Sequence, residues 1–533
     1  MKKRVLLPLF LTILFSLCAC NSTDVPESES TSADTDQAES AASVSTVNSS
    51  DMFTDRDMEV GYDEETSAHI TLSGDSASSD SDAVQISGST VTITDEGTYI
   101  LSGTLNNGMI IVNAEDTDKI QLVLNGVQIT NSTSAAIYVS EADKVFITTV
   151  SATENTLANG GEYIAIDDNN IDAAIFSKSD LTLNGEGRLT VTAAAGHGIV
   201  SKDDLVLASG TYDITAASHG ISGKDSVRAA NGIYRIVSGK DGIHAENTDD
   251  TNLGFLYVAG GTFEIAAEGD GMSASAYLQI DGGEFTITTE EGSSSVTMET
   301  STMDFRQKGN VPRENTTAQE DDSVSQKGIK ADGSISIADG NFVTDTVDDS
   351  IHSNSDILIS GGTFELRSGD DAIHSDTAVV IQNCTMTIAY CYEGIEGLTI
   401  TIDGGTFDIN SVDDGINAAG GADSSGFGSG RPGQDQFSDS SDSSIIINDG
   451  EFVIVSTGDC IDSNGSLTIN GGTLDLTCNG NGDTALDCDG TYTNNGGDVT
   501  TNDGSESNPG QMGGKMGGQS QMPPDRGGHE SAL

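Results

Sequence analysis

At 533 residues the chain is longer than a single hydrophobic core usually supports, so it must divide into domains or repeat. Asp and Glu number 84 against 22 Lys and Arg, and the formal charge of −62 excludes unassisted binding to nucleic acid or anionic lipid, both of which it would repel. With 63 glycines and no tryptophan the composition argues against an ordinary globule and suits a chain that meets cations, or a polymer held through cations.

Lys2-Lys3-Arg4 and the apolar run from Val5 to Leu17, broken only by Pro8, Thr12 and Ser16, predict a secretory signal. The run is short for a membrane span, and the polar, acidic sequence from Asn21 onward does not lengthen it. Leu17-Cys18-Ala19-Cys20 resembles the lipobox of bacterial lipoproteins, although Cys18 is an unusual occupant of its position. The resemblance implies that residues 1–19 are removed and Cys20 is acylated. The mature chain would then be extracellular, touching the membrane only through its N-terminal lipid. The alternative is an ordinary cleaved signal with two incidental cysteines. Residues 20–60 are rich in Ser, Thr, Asp and Glu with few large apolar side chains, which predicts a disordered tether, and residues 61–83 form an entry segment of uncertain structure.

Beyond it the sequence repeats. Gly361-Gly362-Thr363-Phe364-Glu365-Leu366 leads to Asp370-Asp371-Ala372-Ile373-His374, and Gly404-Gly405-Thr406-Phe407-Asp408-Ile409 leads to Asp413-Asp414-Gly415-Ile416-Asn417. The apolar residue after the acidic pair marks the period: Ile199, Ile221 and Ile243, then Met272 after a small insertion, then Ile329, Ile351, Ile373, Ile395 and Ile416; the regular spacing is 22, with one interval of 21. Weaker markers extend upstream to Ile175 and Ile137 and downstream to Ile461 and Leu486. Three strand-sized runs fit in each unit: a Thr-Phe-x-Ile/Leu run, a short segment around the marker, and an Ile-x-Ile run. Alternation puts Phe364 and Leu366 inside and Thr363 and Glu365 outside. Three strands and three glycine-containing bends make one coil of an all-β, single-stranded parallel β-helix over residues 84–500, with coils stacked about 4.8 Å apart. Polar insertions at 292–326 and 419–443 interrupt the series, and residues 501–533 form a Gly- and Met-rich disordered tail.

Stacking converts sequence columns into ladders. Two positions before the marker stand His197, His219, Asp241, Asp270, Lys327, Asp349, Asp371, Glu393, Asp414 and Asp459. Asp348, Asp370 and Asp413 double the column, while Tyr392 takes that place in the coil of Glu393. Carboxylates stacked at that spacing repel unless screened, protonated or bridged. Calcium, which takes six to eight oxygens at about 2.3–2.6 Å, resolves the conflict through Asp348, Asp349, Asp370, Asp371, Asp413 and Asp414. Asn417, Asp462, Asp487 and Asp489 add oxygens near the same edge. The alternative is that Asp is a common turn residue on a solvated surface. The histidine pairs His197/His219 and His352/His374, with His244, invite a zinc reading, but structural zinc needs four close ligands, so wet, outward turn positions are expected for them.

A lyase acting on acidic sugars needs a base and a cation, and Lys330 and Arg367 are the basic residues nearest the doubled rungs along with Lys327. No nucleophile elbow, cofactor fingerprint or phosphate loop is present in the sequence. Five cysteines follow Cys20, and because they do not fall 22 apart, rung-to-rung disulfides are not expected.

The repeated Gly-Gly-Thr-Phe with Asp-Asp-Gly-Ile-Asn or Asp-Asp-Ala-Ile-His, in an acidic secreted chain, resembles a family of bacterial cell-surface carbohydrate-binding β-helix proteins found largely in clostridia and their relatives. The resemblance covers residues 84 to 500. It implies a right-handed helix similar in fold to pectate lyases, bound calcium, and association with plant cell-wall polysaccharide, acidic galacturonan or neutral cellulose. It carries a calcium role to the same six aspartates. The expected function is therefore calcium-dependent, non-catalytic polysaccharide binding at a Gram-positive surface. A pectate-type lyase and a calcium-stiffened adhesin are the alternatives. Oligomeric state is not legible.

Overall fold

The computed structural model describes residue 44 and residues 46–298, 325–419 and 442–509. The signal segment, Cys20, the first part of the tether, most of both insertions and the tail beyond 509 lie outside the described residues.

Three strands recur in each coil. Around Ile351 they are a long strand, Asn341–Thr346, a marker strand, Ile351–Ser353, and a third strand, Ile357–Ile359. Each pairs in parallel with its counterpart in the next coil, so that Phe342 stands opposite Phe364, Ile351 opposite Ile373 and Ile357 opposite Val379. The molecule is a parallel β-helix. The marker register runs from Ile137 through Ile175, Ile199, Ile221, Ile243, Met272, Ile329, Ile351, Ile373, Ile395, Ile416 and Ile461, and a last bridge joins Ile461 to Leu486.

Alternation along the long strands builds the core. In Thr363–Ser368 the residues Phe364, Leu366 and Ser368 are buried while Thr363, Glu365 and Arg367 are exposed. Because the inward aromatic falls at the same place in successive coils, the rings stack face to face. Centroids are 5.3 Å apart for Tyr212–Tyr234, 4.9 Å for Tyr234–Phe263 and 4.7 Å for both Phe285–Phe342 and Phe342–Phe364. Met386 takes the position between Phe364 and Phe407, after which Phe407 and Phe452 stack at 4.7 Å. A glycine precedes most of the long strands, where the chain must turn under the coil before it: Gly405 has φ 126°, and a Cβ there would come within 2.7 Å of the Cys384 carbonyl oxygen.

Pairing begins earlier than the motif does. Ala68–Gly74 already pairs in parallel with Gly97–Leu105, so the entry segment forms part of the first coil. Two antiparallel pairings, Ala68–Gly74 with Ala77–Ser79 and Val84–Ser87 with Thr90–Ile93, close the N-terminal end. They replace an open parallel edge with a capped one. At the other end Asp498–Thr501 is the last long strand.

Residues 46–60, whose composition predicts disorder, are instead ordered along the third-strand sheet. The Val47 amide donates to Gln279 Oε1 (2.8 Å), and Gln279 Nε2 donates back to the Val47 carbonyl (3.2 Å). Arg228 donates to the Met52 carbonyl (3.1 Å), Phe53 lies 5.9 Å from the ring of Tyr257, and Arg56 covers Phe146 at 4.4 Å while donating to Gln121 (3.1 Å). Asp57, in the one-turn helix Asp55–Met58 capped by Thr54, is buried with Lys144 Nζ at 2.7 Å and Thr182 Oγ1 at 2.6 Å. Gln279, Tyr257, Arg228, Val206, Thr182, Phe146 and Gln121 are register partners, so the segment follows one outward column across seven successive third strands. Its contacts are mostly polar and aromatic at scattered positions. A composition test therefore does not see them.

The first insertion leaves between the long strand Glu284–Thr289 and the marker strand Ile329–Ala331. The second leaves between the marker strand Ile416–Ala418 and the third strand Ser444–Ile447. They thus depart from opposite sides of the marker-strand sheet.

Candidate functional site

The marker isoleucine points inward and the residue after it outward; the strand begins at the marker, and the turn just before it brings the residue two earlier round to the same outer side. They meet across the short strand in three coils. His244 Nδ1 is 2.7 Å from Asp241 Oδ2, His352 Nδ1 is 2.8 Å from Asp349 Oδ2, and His374 Nδ1 is 3.1 Å from Asp371 Oδ2. The edge therefore consists of two facing columns. The second column runs His244, Ser273, Lys330, His352, His374, Glu396, Asn417, Asp462 and Asp487. His352 and His374 are buried, with rings stacked 5.1 Å apart, which corrects the expectation of wet, outward imidazoles. The carboxylate three residues earlier draws each ring down onto the marker strand.

The acidic column has a structural duty as well. One oxygen of each carboxylate accepts the backbone amide of the equivalent residue one coil on: Asp241 from Asp270 (3.0 Å), Asp270 from Lys327 (2.8 Å), Asp349 from Asp371 (3.0 Å), Asp371 from Glu393 (3.2 Å) and Asp414 from Asp459 (2.6 Å). His219 Nδ1 does the same for the Asp241 amide (3.2 Å). Acceptors at this turn tie coil to coil, so the column cannot be read as ligands alone.

Of the six predicted aspartates, Asp348, Asp349 and Asp370 come together with carboxylate oxygens within 4.8 Å of one another. Lys327, itself buried, sends Nζ to within 3.0 Å of Asp348 Oδ1 and 2.8 Å of Asp349 Oδ2. Burial would raise the Asp349 carboxyl, but Lys327 and His352 hold it well below the usual range. Asp371 joins His374 and Glu396 instead, whose Oε2 is 2.9 Å from His374 Nδ1; burial and the Glu396 charge push the Asp371 carboxyl well up. Asp413 accepts the Tyr392 hydroxyl. Arg367, a lysine-or-arginine candidate for a lyase, is exposed on the long-strand sheet with its guanidinium 5.9 Å from the Tyr390 ring centroid. Lys330 does lie on the edge, 3.9 Å from Asp270 Oδ2.

Asp414 borders a further cluster at the C-terminal end of the edge. Asp459, Asp462 and Asp487 bring oxygens within 4.8 Å of one another, and among the described residues no lysine, arginine or histidine pairs with any of them or with Asp414. Burial and neighbouring aspartates push the Asp459 and Asp462 carboxyls up to about 7, and burial with Asp462, Asp413 and Asp459 pushes Asp414 well up. Asn417, one coil before Asp462 in the same column, is 2% exposed; its amide nitrogen donates to Glu393 Oε2 (2.9 Å), while its Oδ1 has no hydrogen-bond partner. The site is thus rich in hard oxygen donors and, among the described residues, lacks a protein counter-charge. Such a donor set fits a cation of the calcium or magnesium type. Sequence reasoning noted these oxygens but put its weight on the doubled aspartates of the preceding coils, which are visible in a string, whereas Lys327 reaching forward to Asp348 and Asp349 is not.

The sequence model of the carbohydrate-binding domain-containing protein family matches residues 87–372 and again 356–426, more than half of the chain. The chain belongs to this carbohydrate-binding domain family. A curated carbohydrate-binding domain-containing protein of Acetivibrio thermocellus is 37% identical over 155 residues, covering 28% of this chain and 54% of that relative. The chain thus spans about half the length of the curated relative it matches. Among solved structures, the gadolinium derivative of the polysaccharide lyase-like protein from C. thermocellum is similar at 34% identity with a TM-score of 0.41, covering 42% of this chain and 92% of that one. In this carbohydrate-binding domain protein the edge gathers the four groups of carboxylates and imidazoles that, among the described residues, lie close enough to hold a metal ion. The matched residues reach as far as Asp413 and Asp414 and stop before Asp459.

Proposed function

We propose that the protein is a non-catalytic binder of plant cell-wall polysaccharide, acidic galacturonan foremost, that holds its ligand through calcium at the C-terminal end of the two-column edge. Acylation of Cys20 would display it from the cell membrane at the outer surface. The observation that carries the calcium assignment is the group Asp414, Asp459, Asp462 and Asp487, four carboxylates without a basic partner among the described residues, next to the unpartnered Asn417 Oδ1. The doubled aspartates at 348 and 349 have their counter-charge in Lys327. A calcium ion there shares its coordination between these oxygens and a uronate carboxylate, and one chain of sugars lying along the edge meets the columns coil after coil. The absence of tryptophan disfavours flat, neutral cellulose, for which a broad aromatic platform supplies most of the apolar contact.

Lys330 beside Asp270 keeps a second reading in view, β-elimination by a lysine base with cation assistance. One experiment separates the readings: a glycan pull-down panel with calcium and with chelator, in which unsaturated uronide is read from the same tubes. Retention with calcium and no uronide is expected. Turnover makes the protein a lyase, and neither retention nor turnover leaves an adhesin whose calcium only stiffens the fold.

A further inference from the structure

The N-terminal end of the same edge differs chemically from the C-terminal end. There the column supplies imidazoles: His197, His219 and His244 stack in series, with ring centroids 5.0 Å and 4.2 Å apart, around the single carboxylate of Asp241. Asp241 Oδ1 is committed to the Asp270 amide. Its Oδ2 faces both His219 Nδ1 at 3.3 Å and His244 Nδ1 at 2.7 Å.

The contact with His219 lacks a proton. His219 Nδ1 accepts the Asp241 backbone amide at 3.2 Å, so it carries a lone pair, and that lone pair stands against a carboxylate oxygen. A cation between them replaces this repulsion with two bonds, and because Nδ1 has one lone pair the Asp241 amide gives up its hydrogen bond to the ring when the ion enters. His244 is arranged to help: its Nε2 has Glu246 Oε2 at 3.4 Å, so a proton moved to Nε2 leaves Nδ1 free to ligate with a carboxylate behind the ring. A carboxylate–histidine–metal arrangement of this kind fixes the tautomer of a ligating imidazole. The three donor atoms lie within 4.8 Å of one another, and the side chains of His219, Asp241 and His244 are 14%, 13% and 19% exposed, which leaves an ion a path in.

We infer that His219 Nδ1, Asp241 Oδ2 and His244 Nδ1 form a second metal site, selective for a borderline divalent transition ion such as zinc over calcium. Two imidazoles and one carboxylate suit zinc, nickel or copper, whereas calcium takes an all-oxygen set. Three protein ligands leave a coordination position for water or for an oxygen of a bound ligand, as in open zinc sites. Binding displaces the proton shared between His244 Nδ1 and Asp241 Oδ2, either to solvent or to His244 Nε2.

The test is titration of the full mature chain with zinc chloride by calorimetry, in excess calcium to occupy the acidic end. Cobalt(II) serves as a spectroscopic probe through its visible absorption bands. One saturable zinc equivalent is expected, weakened at least about tenfold by His244→Asn and by His219→Gln, and unchanged by Asp462→Asn. The cobalt bands should fade in the two histidine variants. If His244→Asn does not fold, His219→Gln with the cobalt spectrum decides. Absence of saturable zinc binding overturns the site, as does zinc binding that both histidine variants leave intact or that Asp462→Asn abolishes.

Discussion

Lys327 Nζ lies 2.8 Å from Asp349 Oδ2, and both side chains are buried. The lysine occupies a position in the acidic column and reaches one coil forward, where it neutralises the pair of aspartates most conspicuous in the sequence. Replacing it with methionine keeps the bulk and removes the charge, leaving buried carboxylates uncompensated at a cost of about 3–5 kcal/mol. Urea unfolding of Lys327→Met in chelator measures this. A change below about 1 kcal/mol would mean that the aspartates are screened by something other than the lysine.

Asp462→Asn removes one charge from a cluster that has no basic partner among the described residues. In chelator the variant should be as stable as the parent or more so, because like charges have been thinned. In calcium it should lose most of the thermal shift and most of the glycan retention that calcium confers on the parent. If calcium raises the melting temperature of the variant and the parent equally, the ion binds elsewhere.

Asp57 gives a pH signature of its own. Burial would raise its carboxyl, but Lys144, Thr182 and Thr54 bring it down from 3.8 to about 2. A depressed folded value contributes stability that is present above the unfolded value and is lost as pH falls through the folded one. The shift corresponds to about 2 kcal/mol. Asp57→Asn should therefore be less stable than the parent by about that amount near neutrality, and the gap should close between about pH 4 and about pH 2. A gap that stays constant with pH would assign the loss to packing instead.

Phe342 has a ring stacked on either side at 4.7 Å. Phe342→Ala opens a cavity that neighbouring coils cannot fill without losing register, and should cost about 3–5 kcal/mol by denaturant unfolding. Phe342→Met should cost less than half of that, since Met386 already fills the equivalent place between Phe364 and Phe407. Equal losses for the two variants would show that ring stacking, not volume, holds the column.

The coil was legible because repetition multiplies a weak signal. One Thr-Phe-x-Leu run is an ambiguous strand, but the marker from Ile199 to Ile416 fixes its length, its register and its inward face together. The edge was legible as a column and not as a site. Its behaviour depends on where side chains reach: Lys327 forward by one coil, His352 and His374 sideways onto the aspartates three residues before them. The Asp-x-x-His spacing at 241/244, 349/352 and 371/374 carried the second of these, for a reader who asked which residues flank an inward marker. Nothing in the string announced that residues 46–60 lie along the third-strand sheet. That contact joins residues more than a hundred positions apart, such as Asp57 and Thr182, and it has no period.

In a stack where every coil touches only its neighbours, unfolding can start at an end and proceed coil by coil, with each interface contributing separately. The segment from Val47 to Asp57 breaks that locality, because it is bonded at Gln279, Arg228, Thr182 and, through Arg56, Gln121. Fraying of the N-terminal coils must also release contacts made several coils away. The N-terminal half should melt as one cooperative block, whereas the coils beyond Gln279, among the described residues without such a brace, are free to open singly around the acidic end of the edge.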